Sequence, residues 1–214
     1  MLADRLLPHV LHFSLKGIEL PTGIGVLDPF NGPNADEVSR IVTLFHRTYY
    51  SDDRPRTLML GINPGRLGAG STGLSFTDTK RCESDLGIPV NGLRTHEPSS
   101  DFFYRMVRAA GGAEVFYSRV YVHAICPLGF VKEASAGSPE ERVDPAGRSK
   151  NAQGPLQETL RRTAVNLNYY DDKGLEQAVT PFVESWLRTL VKCGMRTDTV
   201  LCIGTGRTQP TSAS

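Results

Sequence analysis

The residues best suited to chemistry lie in a run that begins at Gly61 and ends at Phe76. A short apolar segment at residues 57–60 leads directly into Gly61-Ile62-Asn63-Pro64-Gly65. A glycine-rich loop follows, in which Phe76 stands with almost no other large apolar residue. An uncharged carboxamide at position 63 is therefore fixed at the end of a strand, beside flexible backbone and one aromatic face. This arrangement suits a pocket that binds a flat, polar ligand.

The same loop contains Gly-Ala-Gly-Ser-Thr-Gly at residues 68–73, which matches the G-x-G-x-x-G pattern of nucleotide-cofactor enzymes. In a dinucleotide site the first glycine stands at the strand end, and the third opens a helix. Here five residues separate Ile62 from Gly68, and residues 74–78 do not begin a convincing helix. A Walker A motif fails as well, because no lysine precedes Ser71. The nucleotide-cofactor enzyme is thus a weaker alternative, and a purely structural glycine-rich loop is another.

The elements that must position this run follow from the apolar pattern. Helical spacing of apolar residues predicts helices over residues 34–50, 99–110 and 175–193. Nearly continuous apolar runs predict buried strands at residues 56–62, 120–125 and 199–203. Helices that alternate with such strands indicate an α/β fold around a parallel sheet. Ligands bind beyond the carboxyl ends of the strands in such sheets, and Asn63, Pro127 and Gly204 lie there.

Length and composition predict one globular domain over residues 1–204 of the 214-residue chain. Residues 132–154 are rich in Ala, Gly, Ser, Pro and charge, which predicts a flexible insertion. Residues 205–214 have no apolar pattern and are expected to form a disordered tail. Because the chain stops just after a strand that is predicted to be buried, we expect the sheet to lack its last strand.

Charge and cysteine usage limit the classes of partner. The net charge of +1 argues neither for nor against nucleic acid, so any phosphate contact must come from local clusters. No apolar stretch is long enough to span a bilayer, and the N-terminus does not read as a signal peptide. The cysteines are scattered without a C-x-x-C motif, which predicts no metal site and reduced thiols in an intracellular protein.

The run from Gly61 to Gly68, followed by Thr72-Gly73 and Phe76, resembles the first motif of the uracil-DNA glycosylase superfamily. It is most similar to the single-strand-selective monofunctional branch, and in particular to its bacterial-type second subgroup. Residues 122–130 and 168–171 resemble two further blocks of that subgroup. The resemblance covers residues 57–204 in the right order. It implies a three-layer α/β/α sandwich that acts in base-excision repair, as an intracellular monomer with DNA as its partner.

The resemblance also implies roles for individual residues. Asn63 would orient a water that attacks C1′ of the sugar, since its amide cannot act as a base. Phe76 would stack on the flipped base, which is uracil or a related damaged base, and Asn168 would read the edge of that base. Backbone amides around Ile62, Gly65 and Gly68 would supply some of the donors that stabilise the negative charge of the departing base. The reaction would need neither metal nor cofactor.

Contacts to DNA are expected around the glycine-rich loop. Arg66, Lys80 and Arg81 would meet phosphates, together with Arg94, and Gly68 would bring the loop backbone close to DNA. Because no lysine lies in the recognised motifs, a Schiff base is not expected and the glycosylase would be monofunctional.

The sequence departs from the family pattern at two places. Better-known members have an asparagine that reads the base where this chain has Ala124, and their second motif, a His-Pro segment after the last strand, is absent. His123 is expected to be a core histidine rather than a substitute. Loss of a catalytic electrostatic donor costs about 10²–10³ in rate, so we expect weak or no activity relative to a C-terminally extended form. The alternative is a catalytically inactive relative that binds DNA or a free base.

Overall fold

A computed structural model describes residues 1–133 and 164–204. Most of the predicted insertion at residues 132–154, and all of the predicted tail at residues 205–214, lie outside these ranges. Lys132 and Glu133 are described, and they belong to a strand because they pair with the strand that begins at Ala164. This part of the predicted insertion is therefore ordered structure.

Helices and strands alternate for much of the chain, as the apolar pattern predicts. The helices are α1 (Leu2–Val10), α2 (Ala35–Tyr49), α3 (Ala69–Thr72), α4 (Thr79–Ser84), α5 (Pro98–Ala109), α6 (Ala113–Tyr117) and α7 (Lys173–Lys192). The strands are β1 (Ile24–Leu27), β2 (Arg56–Gly61), β3 (Val120–Ala124), β4 (Gly129–Glu133), β5 (Ala164–Leu167) and β6 (Met195–Cys202). The three predicted helices are confirmed as α2, α5 and α7, and the first two predicted strands as β2 and β3.

A parallel sheet with the order β3-β2-β6 forms the centre of the α/β fold. Leu58 of β2 pairs with Tyr121 of β3 on one side and with Val200 of β6 on the other. Consecutive residues of β2 and β3 are buried, which requires cover on both faces of the sheet. The prediction of a parallel sheet in an α/β fold is confirmed.

The two faces of β3 and β2 are covered by different elements. Tyr121 and His123 point to the same face, where the His123 ring packs against Trp186 of α7 with a centroid distance of 4.7 Å. The Trp186 indole also donates a hydrogen bond to the carbonyl of Ala124 at 3.2 Å, which ties α7 to the end of β3. The opposite face carries Gly61 and receives the ring of Phe76.

The prediction that the strand at residues 199–203 is buried was wrong. The strand β6 begins earlier than expected, at Met195, and almost all of it is exposed; Val200 and Leu201 retain 44% and 40% of their accessible surface. Within the described residues, β6 pairs with β2 along one edge and with no strand along its other edge. Within the described residues, the apolar run therefore matches β propensity without burial.

A second, antiparallel sheet with the order β1-β4-β5 was not predicted from the sequence. Phe130 of β4 pairs with Leu167 of β5, and Ile24 of β1 pairs with Lys132. Because of this sheet, the segment after β5, which begins at Asn168, lies at the carboxyl end of β2. None of the described helices has the length and apolar character needed to cross a membrane.

Two buried histidines make the fold sensitive to acid. Burial lowers the pKa of His46 and of His123 to about 4 from the usual 6.5. Because the unfolded chain binds these protons more readily, the free energy of unfolding should fall as the pH drops from 6.5 toward 4. We expect a slope of at most about 1.4 kcal/mol per pH unit for each histidine, measured by urea denaturation.

Two variants separate this effect from general acid denaturation. His123→Phe keeps an aromatic ring against Trp186 but removes one titrating group, so it should reduce the histidine-dependent slope by about half. His9→Gln, at an exposed position of α1, should leave the slope unchanged. An unaltered slope in His123→Phe would contradict the assignment.

Candidate functional site

A cavity of about 310 Å³ opens at the carboxyl ends of β2 and β3. This volume is at the lower end of the range for small-molecule sites, about 300–1,000 Å³. Several residues singled out in the sequence line it together, although they come from separate segments of the chain; these are Ile62, Asn63, Gly65, Phe76 and Asn168. Other lining residues were not singled out as part of a site, and they include Ser75, Glu97 and Ile203.

The Asn63 carboxamide is held in place by backbone groups around β5. Its Oδ1 accepts a hydrogen bond from the Tyr169 N–H at 3.1 Å, and its Nδ2 donates to the carbonyls of Leu167 at 3.2 Å and Pro64 at 3.4 Å. A carboxamide oxygen has two lone pairs, so one acceptor position on Oδ1 is left for a ligand or a water. The side chain is thus fixed before any ligand binds.

The Phe76 ring reaches the cavity because a glycine stands opposite it. A Cβ at Gly61 would lie 2.8 Å from Cζ of Phe76, which is closer than real atoms approach. Phe76 has a positive φ of 56°, a conformation that costs a non-glycine residue about 1–3 kcal/mol. Its ring stacks on Phe103 of α5 at a centroid distance of 5.1 Å and an interplanar angle of 13°. The aromatic surface is therefore backed by a second ring.

Asn168 lies in a tight turn directly after β5. Its backbone N–H donates to Oδ2 of Asp171 at 2.9 Å, and its carbonyl accepts from the Asp171 N–H at 3.0 Å. The Asn168 side-chain amide lines the cavity and has no hydrogen-bond partner among the described residues. Its donor and acceptor groups are thus available to the edge of a ligand.

The glycine-rich loop does not have the geometry of a cofactor cradle. Gly68 is buried against Glu97, and a Cβ there would fall onto the Glu97 carboxylate. A Cβ at Gly73 would lie 2.6 Å from a Val42 methyl, and α3 between them has only four residues. Packing inside the protein accounts for these glycines. The Gly68 N–H donates to the Gly65 carbonyl at 3.3 Å, and the contact of Gly68 with DNA stays an untested prediction.

Glu97 is the site residue that sequence reasoning missed. It precedes Pro98 at the start of α5, and its side chain turns into the cavity. Burial raises the pKa of this carboxyl, and the charge of Asp78 adds to the increase while the Ser99 hydroxyl opposes it. No spacing or motif in the sequence marks Glu97, because the contact depends on how α5 meets the loop at residues 65–68.

His123 and Ala124 lie at the end of β3 and were both discussed from the sequence. His123 is buried among aromatic rings and points to the face of the sheet that α7 covers, so the prediction of a core histidine is confirmed. Ala124 lines the cavity with a methyl group where better-known members of the resembled family have an asparagine. The polar side chains at this cavity therefore belong to Asn63, Ser75, Glu97 and Asn168.

Comparisons with known proteins identify the family. The chain is 32% identical over 103 residues to the single-strand selective monofunctional uracil DNA glycosylase of Bos taurus, and 32% identical over 106 residues to that of Rattus norvegicus. These matches span 39% and 40% of the chain but only 38% of each relative. No family model matches the chain.

A solved structure gives the broader match. The crystal structure of wild-type SMUG2 from Pedobacter heparinus superposes with a TM-score of 0.79 at 38% identity, over 96% of this chain and 76% of that chain. The chain belongs to the uracil-DNA glycosylase superfamily, in its single-strand-selective monofunctional branch.

The cations of this uracil-DNA glycosylase relative differ in their availability. Lys80 and Arg94 are exposed, and Arg66 is partly buried at the loop. Arg81 is only 5% exposed and forms ion pairs with Asp101 and Asp85. The Arg81 guanidinium is thus already paired with carboxylates, and its contact with DNA stays an untested prediction.

A larger cavity of about 580 Å³ lies beside β1. It is lined mainly by backbone and apolar side chains of residues 23–34, with Asp28 and Arg66 as its charged groups. None of Asn63, Phe76 and Asn168 reaches it. In the part of the chain that the structure describes, no cluster of His, Cys, Asp or Glu could hold a metal ion. The smaller cavity is therefore the candidate functional site.

The contact between Gly61 and Phe76 can be tested directly. Gly61→Ala adds a Cβ 2.8 Å from Cζ of Phe76, so the ring or the backbone opposite it must shift. Overpacking of this kind costs about 1–3 kcal/mol, which chemical denaturation would measure. Gly32→Ala is the matched control, because its Cβ would meet only the Asp28 carbonyl at 3.4 Å. Equal stability of the two variants would contradict the described packing.

Proposed function

We propose that this chain is a monofunctional DNA N-glycosylase that hydrolyses the N-glycosidic bond of uracil, or of a related damaged base, in DNA. The observation that supports this most directly is the convergence of Asn63, Phe76 and Asn168 on one cavity at the carboxyl edge of the parallel sheet. The relatives that match by sequence are named as uracil-DNA glycosylases, which agrees with the proposal.

Recognition in this proposal begins with a base that has left the stack of the DNA. Extrusion of a base costs a few kcal/mol, and stacking plus hydrogen bonds to its edge must offset that cost. The Phe76 ring provides the stacking surface and Phe103 holds it in place. The unpaired amide of Asn168 provides donor and acceptor groups for the edge of the base.

Bond cleavage in this proposal depends on a positioned water. The free lone pair of Asn63 Oδ1 accepts a hydrogen bond from that water and aims its oxygen at C1′. Since the amide is locked by Leu167, Tyr169 and Pro64, little reorientation is needed when the substrate binds. The base departs as an anion, and nearby backbone N–H groups at Ile62 and Gly65 would stabilise its charge.

DNA is the proposed partner, bound by one copy of the chain inside the cell. Exposed Lys80 and Arg94, with Arg66 on the loop, are the cations that we propose to meet phosphates. A near-neutral protein with a few local cations would bind DNA through a small number of ionic contacts. Single-stranded DNA is the simplest substrate, because its bases need no unpairing before they enter the cavity.

A relative that binds DNA or a base without cleaving it is the second candidate. The observation that favours it is Ala124, which lines the cavity with a methyl group where better-known members of the family have an asparagine that reads the base. In that case the cavity would retain a base through Phe76 and Asn168 without cleaving its bond to the sugar. Turnover by the wild-type chain on a uracil-containing oligonucleotide decides between the two candidates.

The catalytic role of Asn63 predicts a selective loss of rate. Asn63→Ala should reduce uracil release from a single-stranded oligonucleotide by about 10²–10³, because the water loses its orienting acceptor. Release would be measured under single-turnover conditions with enzyme in excess. Affinity for the same oligonucleotide should change little.

Asn31→Ala is the matched control for this experiment. Asn31 is exposed and its side chain bonds only to Asp28, away from the cavity. It should release uracil at the wild-type rate. Wild-type rates in Asn63→Ala would remove Asn63 from the mechanism, and an absence of release by the wild-type chain would favour the binding protein.

Phosphate contacts predict a dependence on salt. The logarithm of the binding constant falls linearly with the logarithm of the salt concentration, and for single-stranded DNA each neutralised phosphate makes this slope more negative by about 0.7. Lys80→Ala should therefore make the slope shallower by about 0.7 and weaken binding at low salt, as measured by fluorescence anisotropy. Lys192→Ala, at the opposite end of the sheet where α7 ends, should leave the slope unchanged. Identical slopes in both variants would remove Lys80 from the DNA surface.

A further inference from the structure

The mechanism proposed above leaves one proton without an acceptor. A water that attacks C1′ must lose a proton, and a carboxamide cannot take it near neutral pH. Among the residues that line the cavity, Glu97 has the only titratable side chain within the described ranges. The Glu97 carboxylate is therefore the candidate acceptor for this proton.

The Glu97 side chain lines the cavity and does not cap its own helix. Glu97 stands at the N-cap of α5, where a side chain can accept backbone N–H groups, yet it makes no such capping bond. It extends instead toward the loop at residues 65–68, where the missing side chain of Gly68 leaves room for its carboxylate. Gly65 is also near, since its Cβ would lie 4.0 Å from Oε1 of Glu97.

One oxygen of this carboxyl has no partner. Oε2 of Glu97 is fully buried and makes no hydrogen bond within the described residues. An unpaired buried polar atom costs about 1–3 kcal/mol, so folding alone does not favour this placement. A catalytic role is one of the explanations for such an atom in a folded protein.

We propose that the Glu97 carboxylate accepts the proton of the water that Asn63 orients, an inference that rests on the proposed glycosylase function. The water oxygen forms a bond to C1′, and the bond from C1′ to the base nitrogen breaks. Its electron pair leaves with the base, which later takes a proton from solvent. The second proton of the water stays on the new sugar hydroxyl. The negative carboxylate also faces the positive charge that develops on the sugar.

The electrostatic surroundings suit a base that works near neutral pH. Burial raises the pKa of Glu97, which makes its carboxylate a better proton acceptor. Asp78 is a charged neighbour that acts on Glu97. Burial opposes the ionisation of Asp78, but hydrogen bonds from the N–H groups of Glu97 and Arg81 hold its pKa below the usual value. The exposed ring of His96 lies 3.3 Å from Asp78, and Arg66 lines the other cavity.

Glu97→Gln is the direct test, because it keeps the shape of the side chain and removes its basicity. Single-turnover uracil release from a single-stranded oligonucleotide should slow by about 10²-fold or more. The wild-type rate should rise with pH until Glu97 is ionised and then level off, and this rise should be missing in Glu97→Gln. A wild-type rate and pH profile in Glu97→Gln would overturn the proposal.

Two controls and a stability measurement exclude a structural explanation. Glu114→Gln, at an exposed position of α6, and His96→Gln should keep both the rate and the pH profile. Because the folded chain binds the Glu97 proton more tightly than the unfolded chain, ionisation of Glu97 destabilises the protein as the pH rises. Glu97→Gln should therefore be at least as stable as wild type at pH 7, so a slow rate would not reflect unfolding.

A binding measurement tests the same carboxylate without turnover. The probes are two oligonucleotides, one with a cationic pyrrolidine in place of the sugar and one with a neutral tetrahydrofuran. Wild type should bind the cationic probe at least about 10-fold more tightly, and Glu97→Gln should lose this preference. An equal preference in both proteins would overturn the inference even where uracil is released. A Glu97-dependent preference without uracil release would support it and count against the proposed turnover.

Discussion

The hydrogen bonds of the Asn63 side chain connect the two sheets of this protein. Asn63 follows the central strand of the parallel sheet, and its carboxamide bonds to the carbonyl of Leu167 and the N–H of Tyr169, on either side of Asn168. This contact fixes the segment after β5 against the end of β2. The cavity exists because those two chain segments are held at a set distance, and Asn168 reaches it for the same reason.

The remaining walls of the cavity depend on close packing around glycines. Gly61 admits the ring of Phe76, and Gly68 admits the carboxylate of Glu97. In both cases a functional side chain occupies the space that a Cβ would fill. Phe76 holds a strained backbone and Glu97 holds an unpaired oxygen, so this part of the molecule stores unfavourable energy that the rest of the fold must offset.

The aromatic and the polar side chains of the site have different roles. The aromatic pair of Phe76 and Phe103 provides a flat surface that does not depend on pH. Asn63 and Asn168 provide neutral hydrogen bonds, and Glu97 is the group whose charge changes with pH. Membership of the uracil-DNA glycosylase superfamily explains why a neutral amide stands at the strand end, while Glu97 offers a proton acceptor that the amide cannot be.

The sequence by itself determined the α/β class, the helices α2, α5 and α7, the strands β2 and β3, and the family, because apolar periodicity and the motif after β2 are local properties of the chain. Only the tertiary structure decided the antiparallel sheet, the exposure of β6 and the burial of Arg81 against Asp101. It also placed Glu97 in the cavity. These features result from contacts between residues far apart in sequence, whose partners no local pattern identifies.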